Sequence, residues 1–253
     1  MIRAFAILIA LALPAAAQEE SIVVGLSQSS VSITTDFVGS EILVYGAVRR
    51  DAPAPTEDPL EVIVTVEGPA TPIIVRKKER RVGIWINRDK VRIGSAPTFY
   101  AIATTGALGD ILSETEDLRH RITIPSVIRA IGISSEAEDA PQFVEALMRI
   151  RQSEGRYRVN EHAVDLDEQT LFRADVELPA DLTEGDYRVR IFLTRDGRVV
   201  DTIDRTIFVR KAGLERFLYT MSREQSALYG LLSLALAVLA GWGASTIFRL
   251  IRP

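Results

Sequence analysis

A mainly β protein, built as one or two immunoglobulin-like β-sandwich units with one soluble helix and a C-terminal transmembrane helix, follows from three features of this sequence. Short alternating runs rich in Val, Ile and Tyr recur between Ile22 and Val209, with Gly and Pro between them, the signature of half-buried strands. Asp196-Gly197 separates two of these runs, a strong hairpin signal because both turn positions tolerate positive φ. Residues 227–248 then read ALYGLLSLALAVLAGWGASTIF, 22 positions without a charge.

That last stretch, as a helix, extends about 33 Å and exceeds a hydrocarbon core of about 30 Å. A helix lying on a soluble domain keeps a polar face; here only Ser, Thr and Tyr hydroxyls interrupt the apolar surface. Its length, its terminal position and the charge boundary at Arg249 oppose the competing reading, a buried core helix. At the other end, Met1-Ile2-Arg3 is a short positive start, Ala4 to Leu13 is apolar, and Pro14 to Ala17 ends in small residues. This is the layout of a secretory signal peptide over 1–17, cut after Ala17, with an uncleaved anchor as the alternative. Either way the next segment is exported. The expectation is a single-pass protein of the inner (plasma) membrane, its bulk periplasmic and its tail, 249–253, cytoplasmic. Arg249 and Arg252 agree with the positive-inside tendency.

The exported part reads as two β-rich units, 18–125 and 126–212, split near Pro125. In the first, Ile22, Val24 and Leu26 alternate, then Val31, Ile33 and Thr35, then Ile42 to Val48. Residues 51–59 form a Pro-rich loop, because each Pro removes a ladder donor. Val62, Val64 and Val66 alternate next, closed by Gly68-Pro69. Ile73 to Val75, Val82 to Ile86 and Thr98 to Thr104 supply further short strands. The second unit carries the one convincing soluble helix, near 136–153. Phe143, Val144, Leu147, Met148 and Ile150 recur there at helical spacing, acids crowd its start, and Arg149 and Arg151 its end. Gly155 stops it. Tyr157 to Val159 and Leu171 to Leu178 follow as strands. Gly185 to Thr194 puts Tyr187, Val189, Ile191 and Leu193 on one face, with Arg188 and Arg190 on the other. Residues 213–226 form an amphipathic juxtamembrane segment, lying at the lipid interface or beginning the membrane helix.

Composition narrows the function. A net charge of -4 does not suggest a nucleic-acid partner. Without cysteine there is neither a disulfide nor a thiolate metal site. No P-loop, G-x-G-x-x-G or G-x-S-x-G elbow occurs, so the chain reads as no enzyme, with no cofactor, no metal and no catalytic residue. His120 and His162 lie far apart in sequence and read as solvated or capping side chains. Asp165 to Glu168 lacks the Gly and the distal Glu of a calcium loop and reads as a solvated turn.

Two features stand out. Arg76, Lys77, Lys78, Arg80 and Arg81 put five positive charges in six residues, directly before Trp85 and Asn87. They form a candidate anion or partner patch, with Trp85 and Asn87 beside it on the face away from Val82, Ile84 and Ile86. A charged edge strand or hairpin that blocks edge-to-edge pairing is the plainer reading. Ser233, Ala237, Gly241 and Ser245 place a small residue at every fourth position of the membrane helix, a candidate helix-packing face. Small residues are also frequent in membrane helices generally.

Several short motifs carry a family resemblance. They include Gly25-Leu26-Ser27, Phe37-x-Gly39, Tyr45-Gly46-Ala47, Glu67-Gly68-Pro69 and Gly83-Ile84-Trp85-Ile86-Asn87. Phe99-Tyr100-Ala101, Leu171-Phe172-Arg173, Leu178-Pro179-Ala180 and Gly185-x-Tyr187 belong with them. So do Tyr229-Gly230, Gly241-Trp242 and Phe248-Arg249 in the membrane helix. Over nearly the whole mature chain the sequence resembles the alphaproteobacterial "putative transmembrane protein" family. The resemblance implies the topology above and no catalytic residue. By association it also implies a transport partner, a membrane exporter of the sulfite/sulfonate type. The functional expectation is a non-enzymatic, membrane-anchored accessory or interaction protein that binds or supports another membrane component. The alternative is a tethered periplasmic module that binds or senses an anionic solute.

Overall fold

The computed structural model describes residues 20–34, 37–50, 58–128, 140–211 and 214–251. The signal-peptide segment, Thr35, the loop at 51–57 and the expected helix start at 136–139 lie outside the described residues, as does the end of the tail.

The strand β1 (Ser21–Leu26) pairs with β3 (Ser40–Arg49), which pairs with β10 (Leu171–Leu178) and through it with β9 (Val164–Asp167), all antiparallel. A second sheet runs β2 (Ser30–Ile33), β12 (Arg198–Lys211), β11 (Gly185–Arg195), β4 (Glu61–Glu67), β7 (Tyr100–Thr104), β8 (Tyr157–Asn160). Only its two outermost pairs, β2 with β12 and β7 with β8, are parallel. In immunoglobulin lettering these orders read A-B-E-D and A′-G-F-C-C′, with β8 added beyond C′. The chain ahead of the membrane helix therefore forms one sandwich. The expected split near Pro125 does not separate two sheets, because β3 and β4 from before it pair with β10 and β11 from after it. Alternating strands carry no mark of their partners, so one sandwich and two look alike in sequence.

Val44, Val64, Val66, Phe172, Val189, Ile191 and Leu193 belong to the core between the sheets. Burying each such side chain contributes about 1.5–3 kcal/mol. The six-stranded sheet is covered on its outer face too. There Ile63, Tyr100, Ile102 and Phe192 belong to a second core with Ile111, Ile122, Ile124, Phe143 and Leu147. Coverage on both sides explains why Val62 to Val66 are all buried, a strand read in sequence as one-sided.

Four helices supply that cover: α1 (Leu108–Ile111), α2 (Glu114–His120), α3 (Ile124–Val127) and α4 (Ala140–Ser153). The first three went unanticipated. Ser113 caps α2 by accepting the Glu116 N–H at 3.4 Å, and the Ser-x-x-Glu spacing of Ser113 and Glu116 was the available signal. Pro125 sits in the first turn of α3 rather than in a linker. On α4, Phe143 and Leu147 are buried but Ile150 is exposed. Its end is a Schellman motif: Gly155 (φ 69°) donates to the Gln152 carbonyl and Arg156 to that of Arg151, each at 2.9 Å.

The corner before β11 is built around Tyr187. Its hydroxyl donates to the Thr183 carbonyl at 3.0 Å, the tyrosine-corner bond of immunoglobulin-like domains. Asp196 and Gly197 take φ of 47° and 69°, as the two-residue hairpin requires.

After the sandwich come α5 (Leu214–Glu224) and α6 (Ser226–Ile251). Within α6, Ser226–Ser245 has a mean hydropathy of 1.8, has no residue buried inside the protein, and is long and apolar enough to cross a membrane.

Candidate functional site: a one-sided cationic ribbon and an arginine-lined cavity

Between β4 and β7 the chain leaves the sandwich as a two-stranded ribbon, β5 (Ala70–Arg81) and β6 (Ile84–Pro97). The basic hexad is the outer half of β5, in a two-stranded hairpin, in keeping with the plainer reading of a charged edge strand or hairpin. Charged side chains do not stop a strand whose faces both meet water. Val82 and Gly83 make the turn with φ of 47° and 85°.

At its base the ribbon joins the second core: Ile93 is fully buried, Val91 nearly so, and Ile73 and Val75 pack against the same cluster. Side chains alternate along each strand and directly opposed residues share a face. Lys77, Glu79 and Arg81 therefore continue the core-side face past the core, with Asp89, Ile86 and Ile84 opposite them. The outer face carries Ile74 opposite Arg92, Arg76 opposite Lys90, Lys78 opposite Asn87, and Arg80 opposite Trp85. The register shift after Lys77 leaves Arg88 as the extra residue, and it pairs with Glu79 at 2.9 Å. The ribbon thus sorts its charges by face. Both acids, Glu79 and Asp89, lie on the inner face, together with Lys77 and Arg81 of the basic hexad; the outer face carries five cations, Trp85 and no acid.

Among the described residues no ion pair joins these five cations to a carboxylate, whereas inner-face Glu79 pairs with Arg88 and Arg81. Arg76 directly opposite Lys90 is a repulsive cross-strand pair. Val82 is fully exposed, and Ile84 and Trp85 are about two-thirds exposed. A β-branched residue at positive φ, as at Val82, is sterically unfavourable.

On α6, Ser233, Ala237, Gly241 and Ser245 are all exposed, and a Cβ at Gly241 would meet nothing within 4 Å. The structure brings the two histidines to different surroundings. His162 Nδ1 is 3.1 Å from the Thr105 carbonyl oxygen, and His120 Nε2 is 3.3 Å from Glu116 Oε2. Asp165 and Asp167 belong to β9, so the expected turn there is mostly strand. No group of three or more potential metal-binding side chains occurs among the described residues.

A second feature escaped the sequence entirely. Arg188 and Arg190, on the face of β11 opposite Tyr187, lie on the side of the sheet that the short helices cover. With Arg119, His120 and Arg121 they line a cavity of about 420 Å³. Arg190 is 8% exposed. Its Nη1 donates to the His120 carbonyl at 2.6 Å, its Nη2 to the Arg121 carbonyl at 2.8 Å and to the Tyr100 hydroxyl at 3.2 Å. The guanidinium also lies 5.1 Å from the Phe192 ring centre. Arg188 pairs with Glu67, and Arg119 with Glu116. Burial pushes the Tyr100 phenol up to about 12, so it stays neutral while donating to the Ile122 carbonyl.

The wall is held by Asp117. Its Oδ1 accepts from the Ile122 and Thr123 N–H groups, and its Oδ2 from the Thr123 and Ser126 hydroxyls, all within 2.9 Å. Burial opposes ionisation here, but these bonds outweigh it and hold the carboxyl below its ordinary range. They also fix the turn that places Arg121 in a left-handed conformation (φ 53°) at the cavity mouth.

Fold and site together define a class: an immunoglobulin-like sandwich followed by one helix able to span a bilayer, carrying a cationic ribbon. The family described as "Putative transmembrane protein" matches residues 21–250, and the chain belongs to that family. Comparison with curated proteins returns no match.

Proposed function

We propose that this chain is a non-enzymatic accessory protein, anchored by α6 with its sandwich on the periplasmic side, which docks on an acidic face of another membrane protein through the outer face of the β5–β6 ribbon. The observation that carries this reading is the sorting of five cations and Trp85 to one face of a ribbon whose outer half adds nothing to the core. Such a face offers long-range attraction to an acidic partner, and Trp and Arg are the side chains that most often dominate interface energy. A single span encloses no transport path, so any transport role, such as support of a membrane exporter, needs that partner. The absence of an activated-nucleophile motif from the sequence supports the non-enzymatic part.

A photo-crosslinking residue at position 85 of the full chain, in native membranes, tests the proposal. The expected result is one protein adduct, lost when Arg76, Lys78 and Arg80 are changed to Gln and absent from a probe at exposed Tyr45. Adducts to lipid alone, or a protein adduct indifferent to the three substitutions, would overturn it. The alternative, an anion-binding module, is favoured by the arginine-lined cavity rather than by the ribbon.

A further inference from the structure

We propose that the cavity between β11 and the α2–α3 turn binds a small oxyanion group, a phosphate or a carboxylate, with Arg190 at its floor and Arg121 and Arg188 at its mouth. Charge imbalance is the first ground. Four guanidinium groups line the cavity, against one lining carboxylate, Glu67, and a second, Glu116, that pairs with Arg119. Both acids are already engaged, Glu67 by Arg188 and Glu116 by Arg119 and His120. Among the described residues no ion pair joins Arg121 or Arg190 to a carboxylate.

The second ground is the burial of Arg190. Withdrawing a guanidinium from water is costly unless an opposite charge accompanies it. Its neighbours here are two carbonyls and a phenol that remains neutral, and its Nε has no hydrogen-bond partner. Capping the end of α2 accounts for the two carbonyl bonds and for a favourable dipole contact. It does not account for three further arginines lining the same cavity, of which Arg121 has no carboxylate partner among the described residues. Guanidinium forks match the planar or tetrahedral oxygens of carboxylate and phosphate. The volume lies within the range of small-molecule sites and exceeds what a bare phosphate fills, leaving room for a solute that bears the group. The proposal is independent of the ribbon.

The test uses the full chain in nanodiscs, titrated calorimetrically with inorganic phosphate, glycerol 3-phosphate and succinate. Saturable binding of at least one probe is expected. Arg121→Asn, which tolerates the left-handed backbone, should weaken it about tenfold. Arg190→Lys should abolish it, with the melting temperature measured alongside. If Arg190→Lys unfolds the protein, Arg121→Asn and Arg188→Gln decide. Changing Arg76, Lys78 and Arg80 to Gln should leave binding intact. Comparing phosphatidylcholine with phosphatidylglycerol nanodiscs locates the source. Loss of phosphate binding only in the latter identifies a lipid headgroup as occupant, and equal binding identifies a free solute. No heat with any probe, or wild-type affinity in both Arg121→Asn and Arg188→Gln, would overturn the site.

Discussion

Arg195 grips Glu20 with two hydrogen bonds, Nε to Oε2 at 2.9 Å and Nη2 to Oε1 at 2.8 Å, although 175 positions separate them. Arg50 adds a third to the same carboxylate at 2.8 Å. The Arg195 bonds, helped by Arg50, hold the Glu20 carboxyl below its ordinary value of 4.5 against the opposing effect of burial. Glu20→Gln keeps the shape and removes the charge. It should cost about 2 kcal/mol, the range for hydrogen bonds to charged groups, measured by denaturation of the full chain followed by circular dichroism.

The same carboxylate sets an acid sensitivity. Its folded pKa lies below its unfolded one, so its contribution is complete above about pH 4.5 and is lost as pH falls through the folded value. Asp117 behaves alike from its ordinary value of 3.8 downward. Melting temperature should therefore hold steady above pH 5 and decline below it, and Glu20→Gln should flatten the upper part of that decline. An unchanged acid profile in Glu20→Gln would assign the sensitivity elsewhere.

Gly185 and Tyr187 test the corner. A Cβ at Gly185 would lie 2.3 Å from Pro69 Cγ, and its φ of 154° suits glycine alone. Gly185→Ala should cost about 2–4 kcal/mol. Tyr187→Phe, which removes the hydroxyl that bonds the Thr183 carbonyl, should cost about 1 kcal/mol. Thermal melts of both variants check the order, and the reverse order would refute this account of the corner.

Val82 separates folding from docking. Asn fits the left-handed turn that Val strains, so Val82→Asn should leave the melting temperature unchanged or slightly raised. If the exposed tip meets a partner, the adduct from position 85 should weaken in the same variant.

Gly241→Ile adds a side chain where nothing lies within 4 Å. It should not alter the melting of the sandwich. Where a neighbouring helix packs on the small-residue face, cross-links from position 237 should disappear with it.

Local signals in this chain were legible and distant ones were not. The Asp196-Gly197 turn and the Tyr187 strand could be read because turn chemistry and alternation depend on adjacent residues. The full length of the β5–β6 ribbon was hidden because residues 76–81 face water on both sides and carry no apolar alternation to join the short runs on either side of them. Short α2 was marked only by the four-residue capping pattern from Ser113 to Glu116, and α3 only by Pro125 in its first turn.

The order of the residues alone was enough to separate a charge-free helix from a water-facing β domain, since hydrophobicity and turn propensity are properties of neighbours along the chain. Only the folded arrangement decided that the strands close into a single sandwich, that five cations share a face, and that Arg190 is buried. The sandwich depends on strands paired across more than a hundred residues, and the burial of Arg190 on a turn about seventy positions away. The shared face of the cations depends on the β5–β6 register, which turns each side chain towards one surface or its opposite.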